Sequence, residues 1–248
     1  KPFYAAKAAR LARTGRILRE RVSEDKRIDK PWREQPIDGL SFDHVARGGD
    51  IALQALGLAK SYAGRTLFRD LTFALRRGER LIIQGPNGSG KSTLLRILTG
   101  AEPPDAGEIR LGANVRLAAV AQTPAAADLD RTPLDLCGAS ANARTLLACL
   151  KLRPDRLNSP LRELSGGERT KVALARILSS GANLLLLDEP TNHLEIEAQE
   201  ALEQALARYP GALILVSHDR AFVEALSPGA AVIHLAPDQR LSTRAPVS

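Results

Sequence analysis

The chain has 248 residues, 44% of them hydrophobic, and carries 35 Lys and Arg against 28 Asp and Glu, a net charge of +7. That is enough apolar material for a buried core, in one large domain with an appendage or in two small ones, and it excludes a disordered polymer. No apolar run approaches the roughly 18 residues that cross a bilayer, the longest being Leu184–Leu187 and Ala212–Val216, and the charged N-terminus lacks the apolar stretch of a signal peptide.

A cytoplasmic protein is therefore expected. Cys137 and Cys149 have neither CxxC spacing nor a neighbouring His, so they read as reduced and structural. Low aromatic content with abundant Ala and Leu favours helices and tightly packed sheets over a β-sandwich. The chain begins with Lys and contains no Met, as a fragment would.

The charge is unevenly placed. Residues 1–33 hold eleven Lys and Arg against four Asp and Glu, a net of +7, while the remaining 215 residues carry 24 of each. Such an arm suits either a solvated helix face or a polyanion, whose phosphates clustered Lys and Arg neutralise. Ala8, Leu11, Leu18 and Val22 form a narrow helical stripe in it, which predicts one charged helix ended by Pro31. Residues 34–50 read as a turn-rich connector, and the texture changes at residue 51, where a domain running to residue 248 is expected.

That domain opens with short alternating strands, "IALQALGLAKSY" and "TLFRDLTFALRRGERLIIQG", with a turn at Arg77-Gly78. A helix through "KSTLLRILTG" closes at Gly100. "GEIRLG" and "NVRLAAVAQ" predict further strands, residues 132–157 are mostly helical, and "SGGERTKVALARIL" is another helix. "NLLLLD" and "GALILVSHD" are buried strands flanking a helix with an apolar face of Ala198, Ala201, Leu202, Ala205 and Leu206. Continuous apolar strands alternating with helices predict an α/β fold with a largely parallel sheet covered on both faces.

Between the strand "RLIIQ" and its helix lies "GPNGSGKST", residues 85–93. In such a sheet ligands sit beyond the carboxyl ends of the strands, where a helix start points free N–H groups at an anion. Gly85, Gly88 and Gly90 let the backbone curl into a nest of donors, Lys91 adds a charge for β- and γ-phosphates, and Ser92 offers a Mg²⁺ ligand. The stretch matches the phosphate-loop pattern G-x-x-x-x-G-K-[ST] in full. In "LLLLDEP", residues 184–190, Asp188 stands at a strand tip where it can hold Mg²⁺ and Glu189 can take a proton from a water; each alone could be a plain strand-end acid. In "LSGGERTKVALARIL", Ser165 and Glu168 make a capping box. Capping leaves the two consecutive glycines, Gly166 and Gly167, unexplained, and a second phosphate contact accounts for them.

"GPNGSGKST", Gln122, "LSGGE", "LLLLDEP" and "VSHD" stand in the order and spacing of an ATP-binding-cassette (ABC) ATPase, and the chain resembles that family over about residues 50–236. The resemblance implies a phosphate-loop NTPase with a parallel core sheet, a small antiparallel β subdomain and an α-helical subdomain, binding ATP and Mg²⁺. It implies that Gly85, Pro86, Asn87, Gly88, Ser89, Gly90, Lys91, Ser92 and Thr93 hold the triphosphate, and that Ser92, Gln122 and Asp188 serve the metal. Glu189 becomes the base, Gln122 a contact to Mg²⁺ and the attacking water, His218 a holder of the γ-phosphate, and Tyr62 a stacking face for adenine. On local grounds alone Gln122 is a surface polar residue, His218 a loop histidine and Tyr62 a core-edge aromatic. The resemblance further implies head-to-tail pairing with a second cassette, supplied by a missing half or another copy, whose nucleotide meets Leu164, Ser165, Gly166, Gly167 and Glu168 of this one.

"EPTNHLEIEAQEALEQAL" resembles the ABC-F branch, whose members lack membrane-spanning domains and act in translation. Glu195 departs from the Asp usual there, which points to an altered contact across the cassette dimer. By the same resemblance, residues 1–33 become the returning half of a linker between two cassettes, contacting ribosomal RNA or tRNA, and the chain becomes the C-terminal half of such a protein. Antibiotic resistance, rescue of stalled ribosomes and control of initiation all fall within the branch. Three rivals stand beside this: the ATP-binding subunit of a transporter, a binding module without turnover, and a DNA-repair ATPase. The short Gln122–Leu164 segment disfavours the last, since those enzymes insert long coiled coils into the cassette.

Overall fold

The computed structural model describes residues 40–120, 126–226 and 228–235, all within the unit Gly39–Ser248. The expected arm 1–33, most of the first half of the connector and Gln122 lie outside the described residues. In chain order the elements are β1 (Ile51–Tyr62), β2 (Arg65–Arg76), β3 (Arg80–Gln84), α1 (Lys91–Leu98), β4 (Ala106–Leu111), β5 (Leu117–Ala119), α2 (Pro133–Cys137) and α3 (Ala141–Cys149). There follow α4 (Gly166–Ser179), β6 (Leu184–Asp188), α5 (Ile196–Arg208), β7 (Ala212–Val216), α6 (Arg220–Leu226) and β8 (Ala231–His234).

Five strands form a parallel sheet in the order β5-β6-β7-β3-β8, and three form an antiparallel sheet in the order β2-β1-β4. The apolar runs predicted to be buried strands are β6 and β7, two of the three interior members of the parallel sheet. Each of Leu184–Leu187 is at most 1% exposed, and burying one leucine stabilises by about 1.5–3 kcal/mol, so the run cannot slip out of the sheet. Period two survives inside it. Leu184, Leu186, Ile214 and Val216 join the cluster that contains Leu94 and Ile97 of α1 and Leu53, Leu58, Phe68 and Leu71 of the antiparallel sheet, while Leu185, Leu187, Leu213 and Leu215 are buried outside that cluster. Helix α1 thus lies in the core between the two sheets. On α4 pack α2 and α3, and α6 packs on α5.

The strands β1 and β2 are twelve residues each rather than short. Their pairing shifts register between Ala55 and Leu58, where Gly57 (φ 60°) is left-handed, and again between Leu58 and Lys60, where Asp70 (φ 56°) on β2 is left-handed. Such bulges break the two-residue alternation that marks a strand in sequence. The helix α6 and edge strand β8 were not anticipated. Strand β8 pairs with β3, and the Leu235 N–H that follows it donates to Gln84 O at 2.7 Å.

At the far end of β3 the Arg80 guanidinium donates to the carbonyls of Gly78 (3.0 Å), Leu206 (3.2 Å), Tyr209 (2.7 Å) and Gly211 (2.8 Å). It closes the C-terminus of α5 and ties that helix, β7 and β3 together, and burial pulls its pKa below the usual arginine value.

Candidate functional site

The loop after β3 turns directly into α1. A Cβ on Gly85 would lie 2.3 Å from Leu235 O and 2.7 Å from Ser89 Oγ, so only glycine fits between β8 and the loop. Lys91 is buried, and its ammonium donates to Gly85 O at 2.8 Å and Pro86 O at 3.1 Å, curling the loop over the helix start. Both partners are neutral carbonyls. Ser89 is buried with no hydrogen-bond partner for its Oγ, whereas Asn87 and Gly88 are exposed at the loop's crest. Thr93 is buried and its Oγ1 accepts from Arg96 Nη2 at 3.1 Å.

Two separate motifs converge here. Ser92 Oγ donates to Asp188 Oδ2 at 2.8 Å, bringing a hydroxyl from the first turn of α1 to the tip of β6. The next residue, Glu189, has a left-handed backbone (φ 47°) fixed by its N–H to Val216 O at 2.8 Å. A non-glycine residue held there is strained, a cost that such sites bear when a side chain must point in one direction. Glu189 Oε2 accepts the His218 N–H at 3.2 Å, the His218 ring lies 3.5 Å from Oε1, and Oε1 is buried without a hydrogen bond. A carboxylate oxygen kept from water and unfilled is poised to accept one further proton or hydrogen bond.

Helix α4 begins at the expected capping box, with Ser165 Oγ accepting from the Glu168 N–H and Glu168 accepting from the Ser165 N–H at 2.8 Å. These bonds hold the Glu168 carboxyl below the usual carboxylate range. Leu164 is buried beneath it. A Cβ on Gly166 would meet open space, but one on Gly167 would come 2.8 Å from His193 O. The second glycine therefore has a cause within its own chain, the close passage of the turn that follows Pro190. The same turn is fastened to α4 by Glu195, which accepts from the buried Lys171 ammonium at 2.8 Å. A groove of about 920 Å³ runs past Ser92, Asp188, Glu189, Gly166 and His193.

Tyr62, at the end of β1, is 44% exposed. Its hydroxyl donates to Glu102, and the Lys60 ammonium lies 5.4 Å from its ring centroid. Gln122 is among the residues outside the description. The other expected site residues fall in three groups: residues 85–93 with Asp188, Glu189 and His218; the α4 start; and Tyr62 at the end of β1. The sequence did not single out Lys60, Glu102, Lys171 or His193. Their partners lie far along the chain, so no local pattern marks them.

Among the described residues no group of three or more His, Cys, Asp or Glu could hold a metal unaided. The Ser92–Asp188 pair suits Mg²⁺ nonetheless, because that ion takes one or two protein oxygens and completes its shell with water and phosphate.

The family model described as ABC transporter matches residues 68–192. The translational throttle protein EttA of Escherichia coli (strain K12) is 41% identical over 191 residues, covering 73% of this chain and 34% of that protein. ABC transporter F family member 2 of Arabidopsis thaliana is 36% identical over 213 residues, covering 83% of this chain and 31% of that protein. This chain thus spans about a third of the length of either relative. Among solved structures, the RNase-L inhibitor superposes with a TM-score of 0.68 at 26% identity, over 84% of this chain and 42% of that one.

Proposed function

Since the chain belongs to the ATP-binding-cassette family of ATPases, among the relatives of its F branch, we propose that it binds ATP with Mg²⁺ and hydrolyses it against a second cassette, and that this cycle drives ribosome binding and release. The observation that carries the reading is the Ser92–Asp188 hydrogen bond, with the unfilled Glu189 Oε1 on the next residue. The phosphates lie against the N–H groups of residues 85–92, and Lys91 turns its ammonium from loop carbonyls toward them. Ser92 and Asp188 hold the metal, which offsets phosphate charge when bound. Glu189 takes the proton of the attacking water at Oε1, His218 steadies the γ-phosphate, and Gln122 completes the metal and water contacts.

Residues 164–168 serve the nucleotide of the partner cassette. Gly166 is open, so the α4 N-terminus can meet a phosphate from outside. Residues 51–248 form the cassette, 34–50 the connector, and the basic residues 1–33 the part that meets ribosomal RNA or tRNA by phosphate neutralisation. In support stand the arm's +7 charge and the relative named for a throttle on translation. No helix among the described residues is long and apolar enough to cross a membrane.

Glu189→Gln tests the chemistry. ATP turnover should fall about 10²- to 10⁴-fold while ATP binding persists, and unchanged turnover removes Glu189 from the role of base. The same variant with ATP should co-sediment with ribosomes; sedimentation with membranes instead would favour a transporter subunit. Specific activity should rise with protein concentration if a second cassette completes the site.

A further inference from the structure

The ring at the end of β1 is half in solvent, yet its orientation is fixed by charge. Tyr62 donates its hydroxyl to Glu102, and Glu102 is gripped in turn by Lys60 Nζ at 3.1 Å and Arg96 Nε at 3.1 Å. Lys60 is itself held by Asp105 at 3.1 Å and by Pro103 O at 2.9 Å, and Asp105 accepts the Ser61 N–H at 2.7 Å. Arg96 sits on α1, the helix whose first residues are Lys91 and Ser92, and it also reaches Thr93 Oγ1. Glu102 is therefore a bridge from the ring to the phosphate helix. The hydroxyl of Tyr62 first, and Lys60 next, hold its carboxyl down at about 2, so it is ionised wherever the protein works.

Position follows from this bridge. Lys60 takes one face of the ring by cation–π attraction, which leaves the opposite face for a flat partner. A ring that already points the right way loses no rotamer freedom on binding. Resting on the nucleotide reading above, we infer that Glu102 is a positioning residue: it holds the free face of Tyr62 at a set distance from the phosphate loop, so that base and triphosphate of one nucleotide are met together. The group selected is a nucleoside triphosphate in preference to a bare polyphosphate.

The test compares Mg·ATP and Mg·tripolyphosphate binding to the full 248-residue chain by calorimetry, with ATP turnover measured alongside. Glu102→Ala and Tyr62→Phe should each weaken ATP about two- to tenfold, the worth of one ordered side chain, and raise KM with kcat little changed. Tripolyphosphate affinity should stay as in the wild type, because a bare polyphosphate has no base for the Tyr62 ring to meet. The double variant should be no weaker than either single one, since both cut the same link. Glu102→Gln keeps an acceptor for the hydroxyl and should restore most of the affinity. Lys60 keeps Asp105, and Arg96 keeps Thr93, in all of these variants, so the fold has other ties at this corner. A wild type that binds tripolyphosphate and ATP, with Glu102→Ala equal to it for both, overturns the inference and spares the nucleotide reading. Loss of tripolyphosphate binding in Glu102→Ala makes the residue structural and overturns it also. A folded wild type that binds neither ligand ends both.

Discussion

Arg80→Met removes a cation that closes the C-terminus of α5. Methionine fills much of the same space but donates nothing, so the carbonyls of Leu206, Tyr209 and Gly211 lose bonds of 3.2, 2.7 and 2.8 Å. Leu206 O still accepts the Tyr209 N–H at 3.2 Å, and the fourth carbonyl, on Gly78, lies at an exposed turn where water replaces the guanidinium. Two buried acceptors are thus left in deficit, each at about 1–3 kcal/mol. Loss of the favourable cation at the helix end adds roughly 0.3–1 kcal/mol. Regained solvation of a half-desolvated arginine works in the other direction, which is why the upper end is not expected. The estimate is about 3 kcal/mol, equivalent to a fall in Tm of roughly 6–12 °C for a chain of this size.

Urea unfolding followed by circular dichroism measures this directly, as a lower midpoint at unchanged slope. Arg80→Lys should fall between the two, because an ammonium has three donors and cannot reach all the carbonyls at once. A loss below about 0.5 kcal/mol for the methionine variant, the range of an ordinary surface change, would refute the assignment of Arg80 as the tie between α5, β7 and β3.

Gly167→Ala should destabilise by about 1–3 kcal/mol, because its Cβ would press on His193 O at 2.8 Å; Gly166→Ala, with open space around it, should be neutral or slightly stabilising by thermal melt while lowering ATP turnover. Glu195→Gln keeps the reach to Lys171 but not the charge and should cost about 1 kcal/mol, discounted because the glutamate is mostly exposed; Lys171→Met in the same background should then add less than it does alone, as a double-mutant cycle in denaturant would show. Burial pushes the Cys137 thiol up to about 12 from its ordinary 9.0 and raises the Tyr209 phenol likewise. A raised value leaves the protons on in the folded chain, so stability is full below about pH 9 and declines as pH rises from there toward 12, by at most about 1.4 kcal/mol per pH unit for each group. Cys137→Ala should flatten that slope in unfolding curves taken from pH 8.5 to 10.5.

Much of the fold was written in local pattern. Leu184–Leu187 announces a strand buried on both faces, and the glycine-lysine loop is legible because its backbone demands admit few other residues. What stayed hidden was whatever depends on distant partners. The lengths of β1 and β2 were obscured by bulges at Gly57 and Asp70, and β8 is four residues whose pairing with β3 is a fact of topology, not of periodicity. Two features acquired causes that sequence could not supply. Gly167 is small because His193 passes close by, and Glu195, which stands where Asp is usual, reaches Lys171 in its own chain. The bridge from Tyr62 through Glu102 to Arg96 joins residues up to 40 apart and carries no motif at all.

The last described strand does more than finish the sheet. Because the carbonyl of Leu235 occupies the space beside Gly85, the segment that follows β8 is a wall of the cradle built after β3, about 150 residues earlier in the chain. Splice junctions, fusion partners or protease cuts placed ahead of residue 231 would therefore open the cradle from behind and bare one rim of β3 to stray pairing, so any engineered boundary belongs beyond Leu235.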